Sequence, residues 1–226
     1  MNPTGFLLVA CFFSVRAAAA DIRIAEVSLH LPQPPGYCEM DPALASDAPL
    51  VANIHSARAK AGGRLLSLSA DCNEVKDWRN GKRTALEHIA RYETPVRTEH
   101  ASLPDIAQNV VRTYCDLMRG IERAAAGMSQ NVQERADRFA KMLRQNETMH
   151  VGVVAEDPLV CYLATLRKIE EETGDATQLG VVAATIIKDK VVHFYLFAPY
   201  RGRETISRLL NMQRANIAQL QQANRY

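Results

Sequence analysis

A chain of 226 residues with 27 basic and 25 acidic side chains, a formal charge of +2, suits one domain or two small ones. It has no charge excess to hold nucleic acid or an anionic membrane. Its hydrophobic content of 47% is ordinary, no apolar run beyond residue 20 is long enough to cross a bilayer, and no repeat of fixed period recurs.

The first element is the apolar run Phe6 to Val15, about half of the roughly 20 residues that a membrane span takes. Ala17 to Ala20 follow it. Ala18 and Ala20 satisfy the A-x-A rule, so a cut is expected between Ala20 and Asp21. Residues 1–20 are therefore expected as a cleaved secretory signal, and residues 21–226 as a single α+β domain, periplasmic or secreted from a bacterium. The signal is imperfect: its start has no Lys or Arg, and Arg16 sits late. Leu8 to Cys11, "LVAC", offers a lipoprotein box as an alternative, and a retained N-terminal helix is another. The apolar "FFSV" after Cys11 argues against the lipid anchor, so Cys11 is expected to be discarded.

Four cysteines remain: Cys38, Cys72, Cys115 and Cys161. An even number in an exported chain reads as two disulfides. Three pairings are open. Cys38 with Cys72 and Cys115 with Cys161 are favoured, because each closes a moderate loop between neighbouring elements. Four buried free thiols are the alternative. A metal site is disfavoured by the lack of C-x-x-C spacing.

Leu31 to Asp41, with three prolines and a glycine, reads as an extended lead-in. Asp41-Pro42 and Asp47-Ala48-Pro49 are helix starts, and Leu50, Val51, Ile54, Ala57 and Ala61 share one face before Gly62-Gly63 stops the helix. "RLLSLSADC" alternates with Leu66, Leu68, Ala70 and Cys72 on one side, a half-buried strand. "NEVKDWRNGKR" reads as a polar loop, and "TALEHIARYETPV" as a strand although its spacing also suits a helix.

Ser102, Pro104 and Asp105 start a helix with Ile106, Val110, Tyr114, Leu117 and Ile121 as its stripe, running to about Gly127. Asn131 and Glu134 start a second, with Val132, Ala136, Phe139 and Leu143 inward. "HVGVVAED" is a strand with Val151, Val153 and Ala155 on one face. Residues 159–172 fit either a helix or a strand. "TQLGVVAATIIKDKVVHFYLFAPY" is a long antiparallel hairpin turning at Lys188 to Lys190. A last helix buries Ile206, Leu209, Leu210, Ile217 and Leu220.

No catalytic, cofactor or metal motif is complete. "NGKRT" has the Gly81-Lys82 of a phosphate loop but lacks the earlier glycine and the Ser or Thr after Lys82. The six histidines hold no ligand spacing, and no Ser sits in G-x-S-x-G. Paired cysteines leave no thiol nucleophile. Two loops combine aromatic and basic residues: Trp78, Arg79, Lys82 and Arg83, and Pro199, Tyr200, Arg201 and Arg203. Such residues are enriched at interfaces, which makes the two loops a candidate partner surface, against the plainer reading of solvated charge with Trp78 as a core lid.

"PPGYCEMD", a helix, "LLSLSADC", "DWRNG" and "VVHFYLFAPYRGRET" running into a last helix form a pattern. It resembles a group of uncharacterised exported proteins of Gram-negative bacteria, similar in layout to the PsbP-like α/β/α sandwich. The resemblance implies an antiparallel sheet of about five to six strands flanked by helices, with a helical pair at about 102–146 inserted. It also implies a non-catalytic binding or assembly module of the envelope, partnered by an envelope protein or a small ligand. An enzyme whose site is assembled from distant residues is the alternative, and a lipid-anchored envelope protein a third reading.

Overall fold

A computed structural model of the chain describes residues 20–101, 103, 107–124, 129, 131–144, 147–171 and 174–225. The expected signal falls outside these residues, apart from Ala20. Ala20–Ile24 (β1) and Val27–Leu31 (β2) form a small antiparallel hairpin. Seven further strands, more than the five to six expected, make one sheet: Tyr37–Glu39 (β3), Gly63–Asp71 (β4), Ile89–Pro95 (β5), Thr148–Asp157 (β6), Val160–Glu171 (β7), Gly174–Ile187 (β8) and Lys190–Pro199 (β9). Its order is β3-β4-β5-β9-β8-β7-β6, antiparallel throughout.

Among the described residues the α-helices are Ala48–Lys60 (α1), Cys72–Arg79 (α2), Ala107–Ala124 (α3), Val132–Met142 (α4) and Arg203–Ala223 (α5). No helix among the described residues is long and apolar enough to cross a membrane.

Alternation along the strands divides the core. Val192, Phe194, Leu196 and Ala198 of β9 point to one face, where α4, α5 and the β1–β2 hairpin close the main cluster. Val191, Tyr195 and Phe197 point to the other. There α1 and α2 cover a cluster of Leu68, Ala70, Val75 and Ile89, and α3 covers one of Val111, Cys115, Cys161, Leu163 and Val182. The result is three layers, with the sheet in the middle.

Several expectations change, each for a local reason. The "polar loop" at Cys72–Arg79 is a helix. Asp71 ends β4 and caps α2 by accepting from the Asn73 and Glu74 N–H groups at 2.9 and 3.2 Å, which starts a helix despite its polar composition. Residues 160–171 take the strand option, paired along their whole length with β8. A bulge between Leu65 and Ser67 turns Leu66 into the main cluster, away from Leu68 and Ala70, with which strict alternation had grouped it. Two bulges in β6 likewise send Val151 and Ala155 to one face and Val153 to the other.

The two middle helices do not pack on one face. They straddle β6, the edge strand: α3 lies on one side of the sheet and α4 on the other. Glu122 of α3 clasps them, accepting from Arg135 of α4 (3.1 Å) and from the backbone N–H of Val153 in β6. This covers a sheet edge that would otherwise present unpaired backbone. On α3 the buried side is Val111 and Cys115, so Leu117 and Ile121, expected inward, are 59% and 57% exposed. On α5 the buried face includes Gln213 and Asn216 beside Ile206, Leu209, Ile217 and Leu220, while Leu210 is only half-buried.

Candidate functional site

Both disulfides lie on the α1–α2–α3 face. Cys38 of β3 is bonded to Cys72 at the first turn of α2, and Cys115 of α3 to Cys161 of β7. Each bridge therefore fastens one helix to the sheet. Between the two fastened walls, β5 and β9 form the floor of an open cleft. α1 and α2 stand over β4 on one side, and α3 stands over β6, β7 and β8 on the other.

The floor is built by cross-strand neighbours. Arg91 faces Tyr195, Glu93 faces His193, Ile89 and Gly180 flank Phe197, and Arg167 faces Gln178. The Tyr195 and Phe197 rings are parallel, within 2°, with centroids 6.0 Å apart. The Arg91 guanidinium lies over both, 4.6 and 4.8 Å from their centroids, and Arg167 lies 5.1 Å from the Phe197 centroid. Two cations thus share one aromatic ring.

Among the described residues the floor holds a single carboxylate near these cations. Glu93 lies 2.5 Å from Arg91 Nε and 3.1 Å from Arg58 Nε of α1. The approach is close but off-axis: both Nε atoms and Glu93 Oε1 are buried without an aligned hydrogen bond, so the attraction is mainly Coulombic. Arg167 has no acidic partner among the described residues. Its Nε donates to Gln178 Oε1 at 2.7 Å, and buried Gln178 is itself anchored by donating to the Glu87 carbonyl at 3.0 Å. Burial, and then the like charge of Arg91, lower the Arg167 pKa to about 10. His193 is pushed down to about 4 by burial and by Arg58, so its ring is neutral at pH 7.

The cleft has two chambers. One, of 320 Å³, has apolar walls of Leu50, Ile54, Trp78, Leu86 and Ile89, with Arg91, Arg167 and Phe197 at its base. The other, of 620 Å³, lies around Arg58, Glu93, Arg97, Tyr114, His193 and Tyr195. Thr94 lines it too, but its hydroxyl is spent on the Val191 carbonyl at 2.9 Å.

The loop residues expected to form a partner surface are placed differently. Trp78 packs under α1 and donates its indole N–H to the Ser46 carbonyl at 3.0 Å. Arg79 grips the fully buried Asp47 through two nitrogens, Nη2 at 2.6 Å and Nε at 3.1 Å. Arg83 lies 3.2 Å from Glu87 and 3.5 Å from Glu74. Tyr200 donates to Asp137 of α4 at 2.6 Å and accepts from Gln133 at 2.7 Å. Lys82, Arg201 and Arg203 lie near the surface. Trp78 and Tyr200 sit on opposite faces of the sheet, so the two loops do not make one surface.

Glu74, Glu87 and His88 bring ligand atoms within 4.8 Å of one another. Those groups are engaged: Glu74 accepts the Glu87 and His88 backbone N–H groups and the His88 ring at 2.7 Å, and Arg83 supplies the local cation. The cluster closes the α2–β5 connection. Comparison of the chain with protein-family models, with curated proteins and with solved structures gives no match.

Proposed function

We propose that the chain is an exported, non-catalytic binding module of the bacterial cell envelope, and that its ligand seat is the cleft over β5 and β9. One observation carries this reading. The central strands, which a closed sandwich would cover with a helix, instead hold an aromatic and guanidinium floor between two disulfide-fastened walls. An apolar chamber with a few convergent polar groups is the usual form of a small-molecule site. Two disulfides favour an oxidising compartment, in keeping with the secretory signal read in residues 1–20. Helices on both faces of an antiparallel sheet support the likeness to PsbP-like modules.

Trp78 is the only tryptophan and lines the smaller chamber, so its fluorescence reports occupancy. A panel of neutral, cationic and anionic small molecules is titrated against residues 21–226 with both disulfides intact. Binding that shifts Trp78 emission and is lost in Phe197→Ala supports the cleft. Binding that leaves Trp78 unmoved and survives Phe197→Ala contradicts it.

A further inference from the structure

The smaller chamber combines an apolar wall with a charge that the protein leaves unanswered. Arg91 is held near Glu93, and Arg58 answers the same carboxylate from the other side. That leaves one negative charge for three guanidiniums across the floor. Among the described residues Arg167 is the floor cation without an acid, and it is not free to swing into solvent. Its Nε is tied to Gln178, and its guanidinium carbon lies 5.1 Å from the Phe197 centroid. With Nε used, the two Nη groups have no hydrogen-bond partner among the described residues and remain to donate, and Arg167 lines the chamber.

Holding a half-buried guanidinium beside a second one is unfavourable in the empty protein. The arrangement has an obvious chemical complement. A carboxylate entering between Arg91 and Arg167 accepts from Arg167 in fork geometry and relieves the repulsion between the two cations. The rest of such a molecule would lie along Leu50, Ile54, Trp78 and Leu86, which carry no charge.

Resting on the reading of the cleft as the ligand seat, we infer that the ligand is an amphipathic monoanion, with its carboxylate on Arg91 and Arg167 and its apolar body against Trp78, Leu50 and Ile54. A monoanion is the smallest complement: of the three floor guanidiniums, Arg58 and Arg91 share Glu93, and Arg167 has no carboxylate beside it among the described residues. The apolar body follows from the composition of the wall.

The test uses residues 21–226 with both disulfides formed, and four probes: octanoate, octanol, octylamine and inorganic phosphate. Binding is followed by Trp78 fluorescence and by calorimetry. Octanoate is expected to bind at least ten-fold more tightly than each of the other three. Arg167→Gln is expected to remove most of that advantage while melting no lower than the parent. Equal binding of octanol, with both signals lost in Phe197→Ala, would leave the cleft as the seat and overturn the anion. Phosphate binding as tightly as octanoate would overturn the apolar body. Octanoate affinity unchanged in Arg167→Gln, or no octanoate binding, would overturn the proposal outright, while the wider panel still judges the cleft.

Discussion

Gly180 of β8 and Phe197 of β9 face each other across the sheet, and a methyl group added at Gly180 would lie 2.7 Å from Cε1 of the Phe197 ring. Glycine at this position therefore makes room for the ring to lie flat over its neighbour strand. The ring in turn supports both Arg91 and Arg167. Gly180→Ala is expected to cost about 1–3 kcal/mol by overpacking. It is also expected to weaken octanoate binding several-fold by tilting the ring on which the arginines rest. Urea unfolding and the Trp78 titration, measured on the same variant, check both.

Arg79 and Asp47 make the second test. Burial acts to raise the Asp47 pKa, but hydrogen bonds from Arg79, Ser46 and the Asp41 N–H outweigh it, so the net shift is downward. Asp47 thus stabilises the fold above its ordinary pKa, and that contribution fades as pH falls through the lowered value. Arg79→Ala strands a buried carboxylate and is expected to cost about 3 kcal/mol at pH 7. The gap to the parent should narrow toward pH 4, because the unpaired Asp47 then folds protonated. Denaturant midpoints at the two pH values give the answer.

His193 gives a pH dependence of its own. Its folded pKa of about 4 lies below the ordinary 6.5, so the unfolded chain takes up the proton first. Its contribution is complete above pH 6.5 and is lost as pH falls from there to about 4. After allowance for the part of the ring that meets solvent, the loss is expected to be about 1–2 kcal/mol. His193→Gln should flatten this part of the stability curve.

The Cys115–Cys161 bridge closes a loop of 46 residues. Its removal as Cys115→Ser with Cys161→Ser is expected to cost about 4 kcal/mol in the loop-closure account. It also frees α3, which carries Tyr114 at the wall of the larger chamber. The Cys38→Ser, Cys72→Ser pair, which frees α2 instead, should damage the Trp78 chamber more. Comparing octanoate affinity in the two double variants separates the walls.

The parts of this fold that were legible in the chain are those that local chemistry decides. The Lys188–Asp189 turn takes the left-handed conformation at both residues (φ 45° and 66°), as a tight hairpin requires, and the β-branched runs around it announced the hairpin. Asn131 caps α4 through the Gln133 and Glu134 N–H groups, as its spacing suggested. Bulges were not legible, because strict alternation cannot show an extra residue at Leu66. The helix at Cys72–Arg79 was hidden because its cap, Asp71, is also the last residue of a strand.

The cleft was hidden for a different reason. Arg58 of α1, Arg91 of β5, Arg167 of β7 and the β9 pair His193 and Phe197 come from four elements and meet through the packing of α1 on the sheet and the register of β5, β9, β8 and β7. One signal was present. Arg91 and Glu93 alternate with Ala90 and Tyr92 in a strand, which places charges on one face of what becomes a central position. Trp78 was rightly suspect as a lid, while its neighbour Arg79 is absorbed by Asp47.

The most direct test is residue-resolved: nuclear magnetic resonance of isotope-labelled residues 21–226, disulfides intact, titrated with octanoate. The account predicts that the largest shifts fall on the Trp78 indole, the Arg91 and Arg167 guanidinium groups and the amides of Tyr195 to Phe197. Shifts confined to the Tyr200–Arg203 loop or the outer face of α3, with the β5–β9 floor unmoved, would contradict it.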